Sequence, residues 1–151
     1  MAKIIVCLPC SISAIGHTMH GFFKVKVTPP IMFIEGYGPW SDTVAQAFCE
    51  EVKCKSLELC QAPWGTVIDQ RQWDLGTPRV WELFDDLLIY MLDHGLVCQA
   101  ILPSMHLHQH LAQKHFETVS PDIVKVKFFT EYDAALQWCQ QQLQLATTRK
   151  E

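Results

Sequence analysis

Residues 77–103 read TPRVWELFDDLLIYMLDHGLVCQAILP, and this stretch decides the fold. Its first part carries helix punctuation at both ends. Thr77 suits an N-cap, Pro78 the first helical position, and Gly95 the left-handed residue that closes a last turn. Between them Val80, Leu83, Phe84, Leu87, Tyr90 and Met91 recur at helical spacing. Leu96 to Leu102 then form a nearly continuous apolar run that stops at Pro103, as a buried strand does. An amphipathic helix that feeds a buried strand is half of a parallel βαβ unit, so the chain is expected to be α/β.

The pattern extends in both directions. Upstream, Trp64 to Asp69 is a short buried strand, and Ser41 can cap a helix in which Val44, Phe48 and Val52 recur every four residues. Ile31 to Glu35 is a further strand, broken by Gly36-Tyr37-Gly38-Pro39. Gly21 to Val27 alternates Phe23, Val25 and Val27 with Lys24 and Lys26, and it is expected to pair antiparallel with its neighbour across Pro29-Pro30. Downstream, Ser104 to Phe116 reads as a helix, and Ile123 to Phe129 as a strand alternating valines with lysines. Thr130-x-x-Asp133 is a capping-box-like start to a last helix. The order β-β-α-β-α-β-α-β-α predicts a single mixed sheet of about five strands with about four helices.

The chain has 151 residues, 49% hydrophobic and 19% charged, with a formal net charge of −4. That length and balance suit one globular domain. The acidic charge disfavours nucleic acid and anionic membrane surfaces as partners. Seven cysteines, at 7, 10, 49, 54, 60, 98 and 139, suit free thiols in the cytoplasm better than a disulfide framework. Cys7-Leu-Pro-Cys10 lacks the flanking strand and helix of a redox motif and the second pair of a zinc site. Residues 1–18 are expected as a loosely held extension or a start placed too early, with a signal peptide as the alternative. The domain proper is expected over residues 19–145, and residues 146–151 as a frayed tail.

Four stretches carry a family resemblance: EGYGPWSDT, GTVIDQRQW, DHGLVCQAILPS and VKFFTEYDAALQWCQQQL. From about Gly21 to Leu145 the chain resembles the SpoIIAA-like branch of the STAS/SEC14-type domains. That resemblance implies a regulatory or binding module, whose relatives bind a kinase or anti-sigma factor or hold apolar ligands. It also implies a phosphorylated serine or threonine near the start of the second helix. Thr77 holds that position here, with Gly76-Thr77-Pro78 in place of an aspartate-serine pair.

The residues offer several candidate sites. Asp69 lies at the carboxyl end of a strand, where open α/β sheets keep ligand groups, with Arg71, Trp73 and Asp74 beside it. A small enzyme could use the Asp69/Arg71 loop, but no nucleophile with a partner base accompanies it, and the bland account is an ion-paired turn. Thr77 has the competing role of a simple N-cap. In MHLHQHLAQKH, His106 and His110 share one helical face while His108 and His115 fall on the apolar stripe, so no metal site is assigned. Trp81, Leu88 and Leu92 form a second apolar line on the long helix, covered by a neighbouring helix or open to a partner. The expected function is therefore non-enzymatic binding of a protein partner or an apolar small molecule. No cofactor and no catalytic residue is expected. Homodimerisation, or a purely structural self-associating module, is the remaining alternative.

Overall fold

The computed structural model describes residues 21–104, 110, 114 and 124–149. Strands β1 (Phe22–Thr28), β2 (Ile31–Trp40), β3 (Trp64–Gly76), β4 (Leu96–Pro103) and β5 (Lys125–Phe128) form one sheet in the order β1-β2-β3-β4-β5. β1 is antiparallel to β2, and every later neighbour is parallel. The helices are α1 (Asp42–Ser56), α2 (Pro78–Asp93) and α3 (Tyr132–Thr148). The expected mixed α/β sheet is present. The helix expected over residues 104–116, the histidine tract, the Cys7–Cys10 pair and residues 1–18 lie outside the described residues or almost wholly so.

Successive right-handed crossovers that step in one direction across a sheet leave their helices on the same face. α1 and α2 accordingly share a face and bury Phe48, Val52, Val80, Leu87 and Met91 against Met32, Ile34 and Trp64. α3 follows β5 and folds back over the opposite face, where Val67, Cys98, Ala100 and Leu102 meet Ala135, Cys139 and Leu143. Ser41 caps α1 as expected, its hydroxyl accepting from the Val44 amide at 3.3 Å. α2 ends at His94, and Gly95 takes φ +100 beyond it. α3 starts later than expected, with Glu131 at the N-cap and no side-chain cap bond.

Two strands run farther than their sequence suggests. Gly36-Tyr37-Gly38-Pro39 does not break β2, and the expected turn after Asp69 continues as β3. The reason is mutual pairing, with Tyr37 opposite Gln72, Gly38 opposite Trp73 and Trp40 opposite Gly76. Glu35 pairs with Asp69 but Tyr37 with Gln72, so β3 holds an extra residue there, and the ladder shifts register. Both edge strands carry exposed lysines at alternate positions, Lys24 and Lys26 on β1 and Lys125 and Lys127 on β5. Among the described cysteines Cys49, Cys60, Cys98 and Cys139 are free, as the cysteine pattern suggests, and Cys54 is disulfide-bonded. Among the described residues no helix is long and apolar enough to cross a membrane.

α3 approaches the sheet closely because small residues line the contact. Cys98 Sγ and Cys139 Sγ lie 3.7 Å apart over the backbone of Gly65. A Cβ at residue 65 would sit 2.6 Å from one sulfur and 2.8 Å from the other. Gly65→Ala should therefore destabilise the fold by about 2 kcal/mol, the usual cost of overpacking a core. Adding Cys139→Ala should recover part of that loss. Urea denaturation of the two variants checks both expectations.

Candidate functional site

The extra residue in β3 re-aims the strand. Ile68 and Gln70 face α2 before the irregularity, and Trp73 faces the same way after it, although residues 70 and 73 would point oppositely in a regular strand. Trp73 thereby meets Trp40 from β2, with ring centroids 5.8 Å apart. Phe84 and Trp81 of α2 close on the same cluster, Trp81 at 6.0 Å from Trp73 and Phe84 at 6.0 Å from Trp40. Edge-to-face rings at these separations attract beyond their buried area, and they make a stiff wall.

Behind that wall lies a chamber of about 80 Å³. Its floor is the sheet, through Ile34, Gly36, Ile68 and Ile101. Its roof is α2, through Leu87, Leu88 and Met91. Two carboxamides enter this apolar lining, those of Gln70 and Gln99. Both side-chain oxygens are buried without a hydrogen-bond partner, as is the hydroxyl of Thr66.

The residues singled out from sequence fall into separate places. Trp73, Trp81 and Leu88 belong to the chamber wall. Leu88 is only 2% exposed, so Trp81, Leu88 and Leu92 do not form one open apolar patch. Leu92 instead lines a wider, more polar cleft with Lys125, Gln142 and Arg149. Asp74 is exposed. Asp69 and Arg71 form a two-point ion pair, with Nε at 3.0 Å and Nη2 at 2.8 Å from the carboxylate, and the Arg71 amide also donates to it at 3.0 Å. Burial pushes the Asp69 carboxyl up, but the guanidinium and amide of Arg71 outweigh it and hold the group below its ordinary range. A general acid needs the opposite shift, toward neutral pH. Beside this pair Tyr37 donates to the Glu35 carboxylate at 3.0 Å. Burial, followed by the Glu35 bond, pushes that phenol up. Burial also pushes Cys49 up to about 11, which leaves it a thiol rather than a nucleophile. Among the described residues no cluster of His, Cys, Asp and Glu could hold a metal ion.

Thr77 corrects one expectation. It occupies the N-cap position of α2, but its hydroxyl makes no cap bond. It donates instead to the Asp42 carboxylate at the start of α1, tying the two helix starts together. Pro78 removes one amide from the first turn, and Val80 N bonds to the Thr77 carbonyl at 3.0 Å.

Gln70, Gln99 and Trp40 were not among the expected site residues. For Gln99 a signal existed, a carboxamide inside the apolar run LVCQAIL. For Gln70 and Trp40 none did, because their placement depends on the irregular pairing of β2 with β3.

Comparison with solved structures agrees with this architecture. An uncharacterized DUF3478-family protein with a SpoIIAA-like fold, from Shewanella loihica PV-4, aligns with a TM-score of 0.62 at 12% identity, covering 82% of this chain and 97% of that one. The fold is SpoIIAA-like. The anti-sigma factor antagonist SpoIIAA in its unphosphorylated form aligns with a TM-score of 0.55 at 12% identity, over 77% of this chain and 96% of that one. The Bacillus cell fate determinant SpoIIAA in its phosphorylated form gives 0.54 at 13%, over 77% and 98%. No protein-family model and no curated protein matches the sequence. On this SpoIIAA-like frame the aromatic chamber lies between α2 and the sheet, and Thr77 lies at the start of α2.

Two expectations follow. Thr77→Ala removes the donor to Asp42 and should cost about 1 kcal/mol, whereas Thr77→Ser should be neutral. Thr77→Asp should cost more than alanine, because it sets two carboxylates side by side, and Asp42→Asn should relieve it; thermal melts rank these variants. The stability supplied by the Asp69–Arg71 pair should be complete above the ordinary carboxyl pKa of about 4 and fade as pH falls through the lower folded value. Arg71 is exposed, so the effect should be about 0.5 kcal/mol. It is read as the stability difference between wild type and Asp69→Asn at neutral pH and near pH 2.

Proposed function

We propose that the protein is a non-enzymatic binding module that holds a small apolar ligand between α2 and the sheet. One observation carries this reading: a chamber of about 80 Å³, walled by indole and phenyl rings, beneath a surface helix. A well-formed apolar pocket with a few convergent polar groups is the default binding site of a small domain. The low carboxyl pKa and two-point pairing of Asp69 speak for a structural role there rather than acid–base catalysis.

A second reading has its own support. The fold matches a protein described as an anti-sigma factor antagonist, solved in phosphorylated and unphosphorylated forms. Thr77 is exposed at the start of α2. In that reading the domain regulates a protein partner, and phosphate at Thr77 would repel Asp42 and loosen the tie between α1 and α2. Four of the described cysteines are free thiols, which supports a cytoplasmic location.

Toluene is a suitable probe of the chamber. In saturating toluene the wild-type melting temperature should rise, since a ligand that binds only the folded state stabilises it. Leu88→Phe narrows the chamber and should keep the fold while weakening toluene binding at least tenfold. An unchanged melting temperature in wild type, or equal binding by Leu88→Phe, would reject the ligand reading. Native mass spectrometry of the purified protein after affinity capture then reports partner proteins and any homodimer.

A further inference from the structure

We infer that the ligand is a compact ring bearing a hydrogen-bond donor, and that Gln99 reads that donor; the inference rests on the ligand-binding reading above. Along β4 the residues alternate. Cys98, Ala100 and Leu102 face α3, which leaves Gln99 and Ile101 facing the chamber. Gln99 is 2% exposed, and its carboxamide oxygen has no partner. A buried acceptor left unpaired is costly, and in folded proteins it usually marks a missing partner.

The geometry separates two polar ends. Gln99 pairs across the ladder with Thr66, whereas Gln70 stands four residues farther along β3, opposite Pro103. Four residues of strand span about 13 Å. Ile68 and Ile101 occupy the floor between the two carboxamides. Gln99 therefore marks the enclosed end, and half-buried Gln70 marks the end toward half-buried Trp81.

Water alone is a poor occupant of this space. One buried water needs about 10–15 Å³ and two to four polar partners. A chamber of about 80 Å³ has room for more than one, yet beyond Gln99 and its neighbour Thr66 the floor is aliphatic until Gln70. A flat ring suits a space bounded by the indoles of Trp73 and Trp81, which meet each other edge to face, and by an aliphatic floor. A hydroxyl or N–H on its leading edge donates to Gln99 Oε1 and satisfies the orphaned acceptor.

The test compares toluene with para-cresol, which has the same ring and methyl group plus a hydroxyl. Binding is followed by tryptophan fluorescence and by the side-chain amide resonances of Gln99. Wild type should bind para-cresol about fivefold tighter than toluene, and para-cresol should shift the Gln99 amide signals more. Gln99→Leu should abolish that preference. Gln99→Met is the isosteric alternative should leucine impair folding, and the amide shifts need no variant at all. Equal affinities in wild type would mean that Gln99 is already satisfied, by water or by a turn of the Thr66 hydroxyl. That result would overturn the inference while leaving the apolar-ligand reading standing. A preference that survives in Gln99→Leu or Gln99→Met would overturn it too. Binding of neither probe would reject both.

Discussion

The parallel ladder between β2 and β3 is the interaction on which the rest of this molecule depends. It runs from Ile31 opposite Gly65 to Trp40 opposite Gly76, well past the last residue that β4 pairs with β3. This extension carries Trp40 to the start of α1 and Gly76 to the start of α2. It sets the ring cluster, fixes where both helices begin and leaves the space beneath α2. The irregularity between Glu35 and Tyr37 is part of the same device, since without it Trp73 would face away from Trp40. The tie between Thr77 and Asp42 closes the far end of this unit.

Much of the fold was legible because its signals are local. The stripe on α2, the cap at Ser41 and the alternation of Val126 with the lysines of β5 each follow from neighbours within a few residues. The ends of β2 and β3 were not legible in the same way. Gly36, Gly38 and Pro39 are strand breakers by propensity, and long-range pairing overrode them. The site divides along the same line. Trp81 and Leu88 were singled out by their apolar spacing and Trp73 by its place beside Asp69, and all three line the chamber. Leu92, on the same helix line, turned toward another cleft. Thr77 sits at the helix start that its sequence predicts, but its hydroxyl goes to Asp42, thirty-five positions away, a partner no local pattern specifies.

The chamber is also where sequence logic and packing logic disagree most. A strand buried on both faces is built from apolar residues, yet β4 places Gln99 in its middle. An isosteric apolar residue there would remove an unsatisfied acceptor. Conflicts of that kind, retained in an otherwise consistent sequence, tend to collect at functional positions. The fold itself is silent on function, since one architecture hosts many activities. Only the site, with its rings, its space and its two carboxamides, narrows the choice.

The lysines on the two outer strands of the described sheet have a consequence for how the protein behaves in crowded or salty solution. Among the described residues β5 ends the sheet on one side and the antiparallel β1 on the other, and each of these strands carries two exposed lysines. Two copies meeting edge to edge would bring those lysines together before any backbone bond formed, and like charges would turn the encounter away. The barrier is ionic, so its reach shrinks to about 8 Å at physiological salt and about 3 Å at 1 M. Protection of this domain against edge-to-edge pairing is thus a property of its medium as much as of its core, since the salt that screens the lysines leaves the buried rings untouched.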